Sequence, residues 1–173
     1  MGILTIQEAT RKNAELIADM SRQTFNDTFA ADNRKEDMDQ FLDEVFTKKE
    51  LMKEVGAKYN IFLLAYVDEQ PAGYVRMREF NNPPSLGSAI AMEIARLYVV
   101  KEFIGKGVGA ALMQRCIDIS NDLQKECIWL GVWEKNHRAI TFYTKWGFEK
   151  FDETEFILGS DVQTDWLMKK KLI

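Results

Sequence analysis

Two groups of residues in this 173-residue chain have types and spacings that could do chemistry. Gly105, Gly107 and Gly109 recur at alternate positions, where an apolar helical pattern begins at Val108. Lacking Cβ atoms, such a run turns sharply and lets a ligand reach its backbone, while the following helix points its first amides outward. The combination is an anion site. Further on, Asn136, Ala139, Phe142, Tyr143, Gly147 and Phe148 make the pattern N-x-x-A-x-x-F-Y-x-x-x-G-F. A helical tyrosine is normally core packing, and Phe142, Tyr143 and Trp146 could all be that. Beside a phosphate site, however, the Tyr143 phenol could also protonate a leaving group.

Several glycine-rich arrangements bind phosphate, and the spacing separates them. A P-loop needs Gly-Lys-Ser/Thr after a four-residue spacer, and Gly105-Lys-Gly has no hydroxyl where magnesium would require one. The dinucleotide pattern G-x-G-x-x-G/A is formally met by Gly105, Gly107 and Ala110, but Lys101 to Ile104 intervene between strand and glycine. The blandest alternative is that the glycines merely begin a helix. The sole histidine, His137, has no second histidine and no Ser/His/Asp or Cys/His cluster around it, so neither a metal site nor a triad is expected. His137 is expected at the surface.

The elements that must position these residues follow from periodicity. From Thr10, a plausible N-cap, Ala14, Ile17 and Ala18 recur at helical spacing. A second helix is predicted from Arg34 to Phe46, with Met38, Phe41, Leu42 and Val45 on one face, and a third after the Thr47/Glu50 capping box. The period then changes. Asn60 to Val67 and Ala72 to Phe80 read as a hairpin turning at Asp-Glu-Gln-Pro, and Ile90 to Val100 as a third strand. Val108 to Leu123 is a predicted helix, Ile128 to Val132 a fourth strand and Asn136 to Trp146 a helix. Phe151 to Leu158 and Thr164 to Lys171 are strands flanking Gly-Ser-Asp. These elements predict an α/β (α+β) domain over residues 1–173, a mixed sheet with helices on both faces.

Composition bounds the partners. The chain is 46% hydrophobic and 29% charged, enough for one core, and its net charge of −4 carries no basic stripe for nucleic acid. An acidic surface tolerates cationic ligands better than anionic ones. The N-terminus lacks a basic segment followed by an apolar one, and no apolar run approaches the ~20 residues that span a bilayer, so a cytoplasmic protein is expected. Cys116 and Cys127 have no metal or disulfide spacing, and Cys116 sits among apolar helix positions.

The glycine run and the N-x-x-A-x-x-F-Y-x-x-x-G-F pattern, taken together over roughly residues 60 to 150, resemble the GNAT acyl-CoA-dependent N-acetyltransferases. That family's phosphate motif is Gln/Arg-x-x-Gly-x-Gly/Ala. Here the glycines are Gly107 and Gly109, and Ile104 replaces the polar first residue. The resemblance implies a mostly antiparallel sheet with a splayed pair of central parallel strands, and acetyl-CoA as co-substrate without a metal. It places the CoA pyrophosphate on the backbone from Ile104 through Gly105, Lys106, Gly107, Val108 and Gly109 to Ala110, and pantetheine along Leu97, Tyr98 and Val99. Asn136, Ala139, Phe142 and Lys145 would complete the cofactor side, although an exposed lysine is the plainer account of Lys145. It also implies Tyr143 as general acid. The departing thiol has an ordinary pKa of about 8.5 and a phenol one of about 10, so donation becomes favourable as charge develops.

An alkylammonium must lose its proton before it attacks, and Glu93 occupies the strand position of the base in the histone-acetylating branch. Glu93 could equally face solvent or pair with Arg96. Three further stretches, Thr24-Phe-Asn-Asp-Thr-Phe29, Gly131-Val-Trp-Glu-Lys-Asn136 and Gln163-Thr-Asp-Trp-Leu-Met168, look like PaiA-type polyamine acetyltransferases. They imply spermidine or spermine as acceptor. The acidic helix of Glu36, Asp37, Asp39, Asp43 and Glu44 could line the acceptor mouth and attract a polycation, although such helices are usually solvated faces. Peptide N-termini or lysines remain alternative acceptors, and a non-catalytic acetyl-CoA-binding regulator remains an alternative function. The family also implies a possible homodimer, through the terminal strand ending Leu167-Met-Lys-Lys-Lys-Leu-Ile.

Overall fold

The computed structural model describes residues 2–172. Its strands are β1 (Leu4–Glu8), β2 (Asn60–Val67), β3 (Gln70–Glu79), β4 (Ala91–Val99), β5 (Cys127–Trp133), β6 (Glu149–Leu158) and β7 (Asp161–Lys171). They form one sheet in the order β1-β2-β3-β4-β5-β7-β6, in which only the β4–β5 pair is parallel. The helices are α1 (Ala14–Phe29), α2 (Lys35–Glu44), α3 (Lys48–Glu54), α4 (Val108–Asp122) and α5 (His137–Lys145). The mixed sheet, the parallel pair and the helices on both faces match the expected fold class.

Strand alternation feeds two cores. Leu63 and Ala65 of β2 face α4 and α5, joining Val75, Met92, Leu112, Leu130 and Met168. Phe62 and Leu64 face the opposite side, where Ile17 and Met20 of α1 cover them. Beside that second core, Phe25, Met38, Phe41, Leu51 and Leu158 tie α1, α2 and α3 to the end of β6. No helix among the described residues is long and apolar enough to cross a membrane.

The hairpin turns are set by backbone chemistry. Val67 pairs with Gln70 across Asp68 and Glu69, both left-handed at φ 47° and 66°, as a two-residue hairpin requires. Gly159 turns β6 into β7 at φ 60°, and a Cβ there would lie 2.5 Å from the Asp37 Cα. Only glycine fits. The Asp37 carboxylate accepts from both the amide and the hydroxyl of Ser160, at 2.8 and 2.7 Å, which holds its carboxyl below the usual range.

The structure departs from the sequence expectation in four places. β1 was not anticipated; Leu4 and Ile6 alone make a weak alternation, and pairing with β2 supplies the rest. The first helix starts at Ala14, after a short 3₁₀ turn over Arg11–Asn13, and runs to Phe29. Asp37 is spent on the β6–β7 turn rather than on an acceptor mouth, while Asp39 pairs with Lys35 and Asp43 with Arg22. Finally, β7 lies between β5 and β6, paired on both sides from Asp165 to Lys169, so this stretch offers no free edge for a strand across a two-fold axis; Ile173 of the expected dimer segment lies outside the described residues.

Candidate active site

The site begins where two strands stop pairing. β4 and β5 are in register only from Ala91–Cys127 to Ile94–Leu130; beyond that, both strands continue without pairing to each other. On its other edge β4 carries a bulge, since Arg76 pairs with Arg96 but Met77 with Ile94, leaving Ala95 as the extra residue. A cavity of about 730 Å³ fills the split. Leu97, Tyr98 and Val99 line one side and Gly131, Val132 and Trp133 the other, as pantetheine pairing along β4 would need.

The glycine segment forms one end. Gly105 and Gly107 sit at φ 80° and 84°, with nothing within 4 Å of a Cβ placed on either, so the ligand side of both is open. Gly107 caps α4 without any side-chain hydrogen bond, leaving the first-turn amides of Val108, Gly109 and Ala110 without intrahelical partners. Those donors fit a pyrophosphate. The Lys106 amide instead donates to the Phe103 carbonyl at 3.3 Å, and its ammonium lies 5.6 Å from the Phe103 ring. Ile104 borders the cavity with an apolar side chain, and the Val108 side chain is buried in the core. Lys106, Val108 and Lys145 do not line the cavity.

Tyr143 is positioned by the helix that carries it. The Asn136 side chain caps α5 by accepting from the Ala139 amide at 3.2 Å. At the other end Phe148 N–H donates to the Tyr143 carbonyl and Gly147 N–H to that of Thr144, both at 3.0 Å, with Gly147 at φ 88°. This is a Schellman stop, completed by the Tyr143 and Phe148 rings at 5.8 Å. The Y-x-x-x-G-F half of the motif is therefore a helix terminator that fixes the tyrosine. Asn136, Ala139, Phe142 and Tyr143 all face the cavity. Burial first, and then the nearby Cys116, push the Tyr143 phenol above its ordinary value, so it is held protonated, as a proton donor must be. Cys116 is fully buried and its thiol is pushed up to about 12 by that burial; it is inert packing. His137 is exposed, as expected.

Glu93 is not brought to the cavity. Its carboxylate accepts from Arg78 at 2.7 and 3.0 Å and from Asn81 at 3.0 Å, and it does not line the split. Glu93, expected as the base, thus lies outside the cavity in an ion pair, with Arg78 rather than Arg96 as partner. Glu93→Gln is expected to cost about 1–3 kcal/mol of stability, the worth of a charged hydrogen-bonded pair, with the pH dependence of any activity unchanged. Denaturation and a pH profile check the two halves.

The other end of the cavity is aromatic. Phe25, Phe29, Phe41 and Phe46 descend from the α1–α3 side, Phe25 stacking on Phe41 at 4.8 Å. Arg96 donates to Glu54 at 2.7 and 3.0 Å, and Arg76 approaches the same carboxylate at 3.2 Å. Asp165, which the sequence reading did not single out, lies opposite Trp133 in the β5–β7 register and also lines the cavity. Burial alone pushes its carboxyl up to about 6.

Comparison with known proteins gives this arrangement its family. Residues 19–148 match the family model described as Acetyltransferase (GNAT) family. An uncharacterized N-acetyltransferase of the pepI 3′ region of Lactobacillus delbrueckii subsp. lactis is 36% identical over 172 residues, covering 99% of each chain. The PaiA N-acetyltransferase of Thermoplasma acidophilum, in complex with coenzyme A, has a TM-score of 0.79 at 22% identity, over 98% of this chain and 99% of that one. Salmonella typhimurium yncA with its cofactor acetyl-CoA has a TM-score of 0.73 at 16% identity, over 98% and 94%. At these identities the two structures speak for the fold, while the family model and the Lactobacillus relative carry the assignment. The open amides, the split strands and the protonated phenol thus belong to a member of the GNAT acetyltransferase family, an acyl-CoA-dependent N-acetyltransferase with acetyl-CoA as co-substrate.

Proposed function

We propose that the enzyme transfers the acetyl group of acetyl-CoA to a primary amine of a polyamine, by direct attack within a ternary complex. The single observation that carries this reading is the continuous cavity, which runs from the open α4 amides past Tyr143 to a carboxylate and aromatic walls. A cationic alkylamine suits that far end, and the PaiA-type stretches point the same way. Acetyl-CoA supplies an activated thioester. The amides of Gly105, Gly107, Val108, Gly109 and Ala110 hold its pyrophosphate, and Leu97, Tyr98 and Val99 align the pantetheine arm. Asn136, Ala139 and Phe142 border it, and Tyr143 gives its phenolic proton to the departing sulfur.

Gly107→Ala tests the phosphate end. A Cβ meets no atom there, but the left-handed backbone costs a non-glycine residue about 1–2 kcal/mol. Reorienting the first-turn amides is expected to weaken acetyl-CoA about tenfold by calorimetry, with a modest fall in melting temperature.

Acetyl-CoA-dependent thiol release against spermidine, spermine, a diamine and an N-terminal peptide tests the acceptor. Saturable release with the polyamines supports the reading. Release with the peptide alone makes the enzyme a protein acetyltransferase. Silence throughout, with acetyl-CoA binding retained, makes it a binding module.

A further inference from the structure

We propose that Asp165, walled by Trp133, Phe29 and Tyr98, is the acceptor-ammonium site and the proton acceptor of this enzyme. The inference rests on the amine-acetylation reading above and names the residue and substrate class that it leaves open.

The geometry is built by the sheet. Asp165 and Trp133 are directly opposed across β5 and β7, so their side chains emerge on the same face. Two positions along, on that face, is Gly131, and its missing side chain leaves room. The Asp165 Oδ2 lies 3.8 Å from where a Gly131 Cβ would be. The carboxylate therefore reaches over Gly131 into the split, where the two strands have stopped pairing. Phe29 of α1 stands edge-on to both Trp133 (6.0 Å, 70°) and Tyr98 (6.5 Å, 80°), completing three aromatic walls. Aromatic faces attract an ammonium and are indifferent to its alkyl chain, and a carboxylate among them orients it.

Nothing else in the cavity competes for the role. The lining holds two carboxylates, Glu54 and Asp165. Glu54 is committed to Arg76 and Arg96. The other charged and titratable groups lining the cavity with Asp165 are Tyr98 and Arg96 of β4, the latter tied to Glu54 of α3, and Arg138 and Tyr143 of α5; α1 contributes Phe29. Its β6 neighbour is the uncharged Thr154. Among the described residues none forms an ion pair with Asp165, which fits a carboxylate waiting for a substrate cation. Its elevation to about 6 makes it a better proton acceptor than an ordinary carboxylate, and still ionised at neutral pH. With one uncommitted carboxylate inside, the cavity takes one ammonium. The remaining cations of a polyamine stay toward the mouth, so a simple monoalkylamine is also a substrate.

The protons balance as follows. The alkylammonium gives one proton to Asp165, and the neutral nitrogen forms a bond to the thioester carbonyl carbon. The carbon–sulfur bond breaks, Tyr143 protonates the sulfur, and the second nitrogen proton restores the Tyr143 phenol. Asp165 then releases its proton to solvent, giving amide, free thiol and one proton.

The test is thiol release with n-butylamine and with spermidine, from about pH 5 to about pH 9, for the natural sequence, Asp165→Asn and Glu93→Gln. The natural sequence and Glu93→Gln are expected to share an acidic limb with a midpoint at about 6. Asp165→Asn is expected to lose that limb and about a hundredfold or more in kcat/KM, with acetyl-CoA affinity unchanged. Its melting temperature at neutral pH should not fall. The native fold binds the Asp165 proton more tightly than the unfolded chain does, so stability falls as pH rises toward 6 and removing the charge relieves that. An Asp165→Asn variant within about twofold of the natural rate, with its acidic limb intact, overturns the proposal. Should neither amine be turned over by the natural sequence, acetylation of alkylamines itself fails, and Asp165 is judged by carboxyl NMR. A resonance titrating at about 6, shifted by butylammonium and absent from Asp165→Asn, sustains the ammonium site, and its lack overturns that too.

Discussion

Tyr143→Phe is expected to lower kcat by about 10² to 10⁴, the usual contribution of a positioned general acid, while acetyl-CoA affinity and melting temperature change little. The split between binding and turnover follows from how the ring is held. The Schellman stop at Gly147 and the contacts of Tyr143 with Phe142 (5.5 Å) and Phe148 (5.8 Å) involve backbone and ring, all of which phenylalanine keeps. Only the hydroxyl is lost. That hydroxyl is protonated at any working pH, because burial disfavours the phenolate. In the proposed reaction, the phenol is the donor at hand once thiolate character develops on the departing sulfur. Rapid-equilibrium binding of acetyl-CoA and steady-state thiol release separate the two quantities. A variant that loses cofactor affinity and keeps its turnover would make Tyr143 a packing residue.

Glu54→Ala is expected to destabilise the fold by about 3–5 kcal/mol, the cost of stranding buried charges. Arg76 and Arg96 converge on this carboxylate, and their side chains are only 11% and 15% exposed. Burial lowers Arg76 to about 10 despite Glu54, which offsets part of the penalty. Removing Glu54 leaves both guanidiniums short of solvent and facing each other. For a chain of this size the loss corresponds to roughly a 10 °C fall in melting temperature. Because Arg96 and Glu54 also line the acceptor end of the cavity, amine turnover should fall more than acetyl-CoA affinity. Urea denaturation measures the first effect; a loss below about 1 kcal/mol would mean that the arginines find other partners.

Local motifs were legible in the sequence because their physics is local. The glycine entry to α4 and the span of α5 up to Trp146 depend on residues a few positions apart, so spacing alone exposes them, while the Asn136 cap and the Gly147 stop that explain the second motif emerge from the structure. Choosing between carboxylates was different. Whether Glu93 or Asp165 faces the cavity depends on β3, which supplies Arg78, on the β5–β7 register that sets Asp165 against Trp133, and on the absence of a side chain at Gly131. None of these is adjacent in sequence. Asp165 did lie within the Gln163–Met168 stretch that resembles the PaiA type, but no local pattern distinguishes it from any polar strand residue. Asp37 likewise reads as one charge on a solvated helix, and its partner Ser160 is 123 positions away. The position of β7 inside the sheet required the crossing of β6 to the edge, which strand periodicity does not encode. Edge strand β6 carries Glu149, Lys150, Asp152, Glu153 and Glu155, charges that discourage another chain from pairing there.

The most direct test of the account is a crystal structure with acetyl-CoA bound. The expected complex has the pyrophosphate on the amides of Gly105, Gly107, Val108, Gly109 and Ala110, pantetheine in the opening between β4 and β5, and the thioester sulfur within hydrogen-bonding distance of the Tyr143 hydroxyl. A cofactor that leaves the split empty, or a sulfur out of reach of Tyr143, would contradict it.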